Sequence, residues 1–174
     1  MSRDFGDARR LDPAEFEGKF EKWIDYITTH HHGSDGRRVA GHPFQPLHKP
    51  LAESRVALVG SAGVHLDDQE PFHVETLAGD SSLRLIPDDV DTGRLRFTHT
   101  HYDTASAEKD PNVVFPLDRL HEVVEEGRIG STCSVHIGLM GFNPDPTAIA
   151  DDTAPEIVDQ LVSQDVDVVL LVPG

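Results

Sequence analysis

The chain contains a single cysteine, Cys133. One thiol excludes an internal disulfide framework, a Cys-x-x-Cys redox pair and a cysteine-based zinc set. Lysine is also sparse, at positions 19, 22, 49 and 109 only. The 15 basic residues face 31 acidic ones, for a formal charge of -16. Clusters of Lys and Arg, which nucleic acid and anionic membranes require of their partners, are therefore missing. No run approaches the ~18 apolar residues of a membrane span. Charges begin at Arg3, which does not suit a secretory signal. No internal repeat is visible. These absences predict an acidic cytoplasmic protein that binds neither nucleic acid nor membrane.

What is present organises itself around Arg55-Val-Ala-Leu-Val-Gly-Ser-Ala-Gly-Val-His65. The continuous apolar run Val56 to Val59 predicts a strand buried on both faces. Gly60-Ser61-Ala62-Gly63 predicts a tight turn at its carboxyl end. Open α/β sheets bind ligands outside the carboxyl ends of their strands, so Ser61, Gly63 and His65 are expected on the rim of a site. Taken alone, the glycines are read first as simple turn residues.

The length of 174 residues predicts one domain with a real core. Residues 1–11 are polar and expected to be flexible. Asp12-Pro13-Ala14-Glu15 carries helix-start signals, and Phe16, Phe20, Trp23, Ile24 and Ile27 recur at helical spacing, predicting an amphipathic helix over 13–29. His30-His31-His32 follows, at a helix end where imidazolium suits the dipole. Residues 33–54 read as a Pro/His-rich loop. Strands are predicted at Leu83–Pro87, Leu95–Thr98, Val135–Met140 and Asp167–Val172. Helices are predicted from Pro116 to Glu126, capped by Gly127, and after a capping box at Thr153-Ala154-Pro155-Glu156. Asp88-Asp89-Val90-Asp91 reads as an exposed acidic turn, and residues 141–152 as a Pro- and Asp-rich loop. Alternation of strand and helix in the second half predicts an α/β fold. Its mostly parallel sheet would carry flanking helices in a Rossmann-like, three-layer arrangement.

His99-Thr100-His101-Tyr102-Asp103 is the sharpest polar cluster. In an extended chain His99, His101 and Asp103 point the same way. Two imidazoles and a carboxylate on one face suit proton handling or, as an alternative, a metal-dependent hydrolase. Cys133 opens a predicted strand and reads as a buried thiol. Ser61 lacks the G-x-S-x-G elbow of a hydrolase nucleophile.

Five blocks carry a family likeness. They are Phe20-Glu-Lys-Trp-Ile-Asp-Tyr-Ile27; Pro46-Leu-His-Lys-Pro-Leu51 with Ser54-Arg-Val-Ala-Leu58 and Ser61-Ala-Gly-Val-His65; Gly79-Asp80-Ser81 with Arg84 and Ile86-Pro87; His99-Thr-His-Tyr-Asp-Thr104 with Asn112-Val-Val-Phe-Pro-Leu-Asp-Arg-Leu120; and Asp167-Val-Val-Leu-Leu-Val-Pro-Gly174. Together they resemble the selenoprotein B family, the B components of glycine, sarcosine and betaine reductases and the corresponding D-proline reductase subunit.

The resemblance implies a selenocysteine or cysteine directly after the strand matched by residues 167–172, with a second cysteine three positions later. It implies reductive cleavage of a C–N bond in a small amino acid or amine. The substrate would be activated by a pyruvoyl group on a partner subunit, with a dithiol as reductant and a thiol or selenol carrier as a further partner. An oligomeric assembly is expected. The sequence stops at Gly174, where the nucleophile is due, so the domain is expected to be incomplete at its C-terminus. A UGA codon read as a stop would explain this. Ser61, His65, His99, His101 and Asp103 are the candidate groups around that nucleophile. The competing readings are the metal-dependent hydrolase and a redox-inactive interaction protein.

Overall fold

A computed structural model of the chain describes residues 45–75, 79–99, 102–143 and 147–174. The helix expected over 13–29, His30-His31-His32, most of the 33–54 loop, and His101 lie outside these residues. In chain order the described elements are β1 (Arg55–Gly60), β2 (Val64–Leu66), β3 (Leu83–Pro87), β4 (Leu95–Phe97), α1 (Ala105–Lys109), α2 (Leu117–Glu125), β5 (Ser131–Thr132), β6 (Val135–Leu139), α3 (Ala154–Ser163) and β7 (Val168–Val172). All of them belong to one unit, Val39–Gly174.

β1 is the central strand, as its unbroken apolar run requires. Its residues from Val56 to Gly60 are all buried. β7 runs parallel along one edge of β1 from Val56↔Val168 to Gly60↔Val172. The other edge is shared: β5 pairs with Arg55 and Val56, β6 with Val59 and Gly60, both parallel. β3 lies antiparallel outside β6. The fold is thus a mixed α/β arrangement with a largely parallel sheet. β2 and β4 form a separate antiparallel pair, Val64↔Phe97 to Leu66↔Leu95.

The core gathers Leu58, Val64, Ile86, Phe115, Leu117 and Ile137, each completely buried. α2 forms where expected and for the expected reason. Leu117 and Leu120 are buried, and Val123 and Val124 pack against the same core. Gly127, at φ 68°, closes the helix as its sequence position predicts, its N–H donating to Val124 O at 2.9 Å. Its start is capped from a distance: Asn112 Oδ1 accepts from Asp118 N at 3.1 Å. Pro116 cannot supply that side-chain acceptor, which is why Asn112 does.

Two local expectations are corrected. The segment 141–152 is not all loop: it is helical from Thr147, and a π turn over Ile149–Thr153 runs straight into α3. Thr153 is accordingly in helical conformation and makes no cap bond. Its hydroxyl instead donates to Ser81 O at 2.6 Å, tying this helix to the β3 approach. Asp88 is also not a solvated turn residue; it is half-buried and bound to two histidines. Short elements went unforeseen. β2, β5 and α1 have three, two and five residues, too few to show a period.

α3 and β7 bury less than their composition suggests. Val158, Val162 and Leu171 are 55%, 69% and 72% exposed, so one apolar flank of the unit is open to solvent. Among the described residues no helix is long and apolar enough to cross a membrane.

Candidate active site at the strand ends

The carboxyl ends of β1, β6 and β7 meet at one place. The turn leaving β1 is sewn to both neighbours: Ser61 N donates to Val172 O at 3.0 Å, and Gly63 N donates to Leu139 O at 2.8 Å. Gly174 N donates to Ser61 Oγ at 3.2 Å. A Cβ on Gly174 would sit 2.3 Å from Ala62 Cα, so the chain leaving β7 lies directly on the β1–β2 turn. Only glycine permits that approach.

Gly141, just past β6, makes a second close contact. A Cβ there would lie 2.8 Å from Ser61 O, 3.4 Å from His99 Nε2 and 3.5 Å from Ser61 Oγ. The bare Cα of Gly141 is therefore where a serine hydroxyl and an imidazole nitrogen converge. Tyr102 braces this corner. Its ring packs on His99 with centroids 4.7 Å apart, and its hydroxyl donates to Ala62 O at 2.8 Å. Burial, reinforced by the Glu108 charge, pushes the phenol up to about 12, so it stays a donor. These groups can orient a reactive side chain and move a proton at His99.

The other expected residues fall differently. His65 is in β2, 5% exposed, with both nitrogens engaged. Nδ1–H donates to Leu66 O at 2.8 Å, so Nε2 accepts from Thr98 Oγ1 at 2.8 Å. Burial lowers its pKa, with Arg84 and Arg96 adding to the effect. His65 is thus a neutral support of the β2–β4 pair. The strand leading toward His99 ends at Phe97. Asp103 accepts from Ala105 N at 3.0 Å at the start of α1. Among the described residues no group of three or more His, Cys, Asp and Glu could hold a metal ion.

A second polar cluster, unforeseen from sequence, lies around the start of β6. His136 is fully buried, and Leu58 N donates to its Nδ1 at 3.0 Å. The imidazole thereby stands in for a backbone carbonyl in the gap between β5 and β6. Its Nε2–H must then donate to Asp88 Oδ1, at 2.8 Å, which also accepts from His121 Nε2 at 2.9 Å. Burial alone would raise the Asp88 carboxyl; the bonds from His136, His121 and Thr132 outweigh it and hold it below the usual range. Cys133 Sγ donates to Val135 O at 3.1 Å, and burial pushes its thiol up. Its neighbour His136 Nδ1, 3.4 Å away, is already occupied by Leu58 N–H, so the thiol has no base. A histidine inside the apolar run Val-His-Ile-Gly-Leu was the available signal, because a buried imidazole needs partners.

This burial has a consequence for acid stability. The pKa values of His65 and His136 are both lowered, chiefly by desolvation. Above about pH 6.5 both are neutral whether folded or unfolded. Below it the unfolded chain binds protons that the folded chain resists. The unfolding free energy should therefore fall by up to about 1.4 kcal/mol per pH unit for each histidine. Urea midpoints between about pH 7.5 and about pH 5 will show this decline; a flat midpoint would contradict it.

Comparison with known proteins places the geometry. Residues 36–173 match the family described as glycine/sarcosine/betaine reductase selenoprotein B. The chain belongs to this family. D-proline reductase subunit gamma of Acetoanaerobium sticklandii is 39% identical over 129 residues, 74% of this chain and 52% of that protein. Glycine reductase complex component B subunit gamma of Symbiobacterium thermophilum is 31% identical over 132 residues, 74% of this chain and 30% of that protein. Betaine reductase complex component B subunit beta of Peptoclostridium acidaminophilum is 30% identical over 129 residues, 71% and 28% of the two chains. The matched region spans about half of the first relative and under a third of the other two. No solved structure matches.

Seen as a selenoprotein B chain, its motif blocks divide by role. Asn112 and Phe115 are structural, capping α2 and filling the core. Asp80 and Arg84 close the loop before β3. Asp80 accepts from His73 N at 2.8 Å, and Arg84 lies 4.3 Å over the Phe72 ring. Ser61, His99, Tyr102 and Gly174 instead meet at the strand ends.

Proposed function

We propose that this chain forms part of a reductase subunit that cleaves the C–N bond of glycine, betaine, sarcosine or D-proline. The nucleophile would be a selenocysteine or cysteine directly after Gly174 in the full-length polypeptide, and the whole would adopt a Rossmann-like, three-layer fold. The observation that carries this reading is the seating of Gly174 on Ser61 and Ala62. A residue following Gly174 would thereby start beside the mouth shared by His99 and Gly141.

A selenolate is ionised near neutral pH and strongly nucleophilic, so it needs little help from a base. In the net reaction the amine departs as ammonium or a substituted amine, or stays tethered when a ring opens. The carbon gains hydrogen in its place, and a dithiol supplies the two electrons by becoming a disulfide. A pyruvoyl group on a partner subunit would activate the amine as a leaving group. A thiol or selenol carrier would receive the product carbon. Within this chain His99 and His101 are assigned proton handling, and Ser61 would face the nucleophile. His65 and Asp103 act indirectly, by holding β2 and the start of α1.

The codons that follow Gly174 in the gene test the reading. An in-frame UGA or cysteine codon, followed by coding sequence that matches the family, is expected. Its absence ends the proposal.

A further inference from the structure

We infer that Ser61 is a positioning residue: its hydroxyl, bound to the backbone N–H of Gly174, fixes the direction in which the chain leaves β7, beside the point where Ser61 Oγ and His99 Nε2 converge over Gly141. The inference rests on the reading that the nucleophile follows Gly174. Three contacts argue for it independently of that reading. Ser61 is itself locked, because its N–H donates to Val172 O at 3.0 Å. The Gly174 N–H reaches Ser61 Oγ at 3.2 Å. The approach of Gly174 to Ala62 admits no side chain at 174, a built Cβ falling 2.3 Å from Ala62 Cα and 2.6 Å from its Cβ.

The two ends of adjacent parallel strands are therefore joined by a side-chain bond at the point where ladder bonding stops. Pro173 has no N–H to offer, so Gly174 supplies the first free donor after β7. Ser61 is the side chain placed to take it. Its hydroxyl keeps a proton to donate onward, toward the side where Gly141 leaves space and His99 Nε2 lies. A residue attached to Gly174 thus starts from a fixed backbone direction, with the Ser61 hydroxyl next to it.

The test uses the full-length protein, with the residue after Gly174 present as cysteine. Its alkylation by iodoacetamide is followed against pH, alongside the melting temperature. Ser61→Ala should slow alkylation of that residue by about tenfold, the scale of one lost neutral hydrogen bond, and shift its pH profile upward. Ser61→Thr, which keeps the hydroxyl, should restore both. Gly174→Ala should reproduce the Ser61→Ala defect. An unchanged rate and profile in Ser61→Ala, with the wild-type residue reacting normally, overturns the positioning role. A wild-type residue that does not react at all overturns the underlying reading of the nucleophile instead.

Discussion

Replacing Phe115 with alanine is expected to lower the unfolding free energy by about 3–5 kcal/mol. That is a large share of the roughly 5–15 kcal/mol that holds a domain folded. Phe115 is completely buried, and its position decides two other features. Its ring lies beneath Gly60, where a built Cβ would come 2.8 Å from Cδ2. It also meets the His136 ring edge-on, with centroids 6.5 Å apart and planes at 81°. The cavity left by truncation would adjoin the end of β1 and loosen the imidazole that satisfies Leu58 N–H. A coupling follows. Gly60→Ala should destabilise the wild type, yet cost less in a Phe115→Leu background, where the crowding ring atoms are gone. Urea unfolding of the four proteins measures this. A cost below about 1 kcal/mol for Phe115→Ala, or simple additivity of the pair, would contradict the packing described.

The parts of the fold visible in sequence are those with a long-range hydrophobic period or a strong punctuation mark. The run Val56–Val59 can only be a central strand, and Leu117, Leu120, Val123 and Val124 repeat at the spacing of one helix face. Gly127 marked the end of that helix through the backbone conformation it permits. What sequence could not show was whether a cap signal is used. Thr153-Ala154-Pro155-Glu156 has the pattern of a helix start, but the helix arrives earlier and the threonine is spent on Ser81 O. Pairing partners 48 residues apart, such as Asp88 and His136, are beyond any local pattern. A carboxylate beside a proline looks like an exposed turn until the buried imidazole across the sheet is known.

The candidate site was legible in composition and location rather than in arrangement. Ser61 at the mouth of β1 follows from the strand-end rule for open α/β sheets. His99 follows from its place two residues past an apolar strand. The expected common face of His99, His101 and Asp103 runs through residues outside those described; what the sequence did not show is that Asp103 bonds to Ala105 N at the start of α1. Gly141 had no signal, since its importance lies in what approaches it from other elements. The burial of His65 was likewise hidden, because a three-residue strand leaves no period to read.

The second large effect is expected at His99. Its Nε2 and Ser61 Oγ converge over Gly141, and Tyr102 packs against its ring. A side chain that moves a proton in the rate-limiting step contributes about 10²–10⁴-fold, while loss of one aromatic contact costs about 0.5–1.5 kcal/mol. His99→Ala should therefore remove far more activity than stability. The central claim is that chemistry occurs at the shared mouth of β1, β6 and β7. Turnover of the His99→Ala full-length protein, supplied with the partner components and dithiol of the proposed reaction, tests that claim most directly. A kcat reduced by about a hundredfold or more, in a protein whose melting temperature stays within a few degrees of wild type, is the predicted result. A kcat within about threefold of wild type, or a loss of activity no greater than the loss of folded protein, would contradict it.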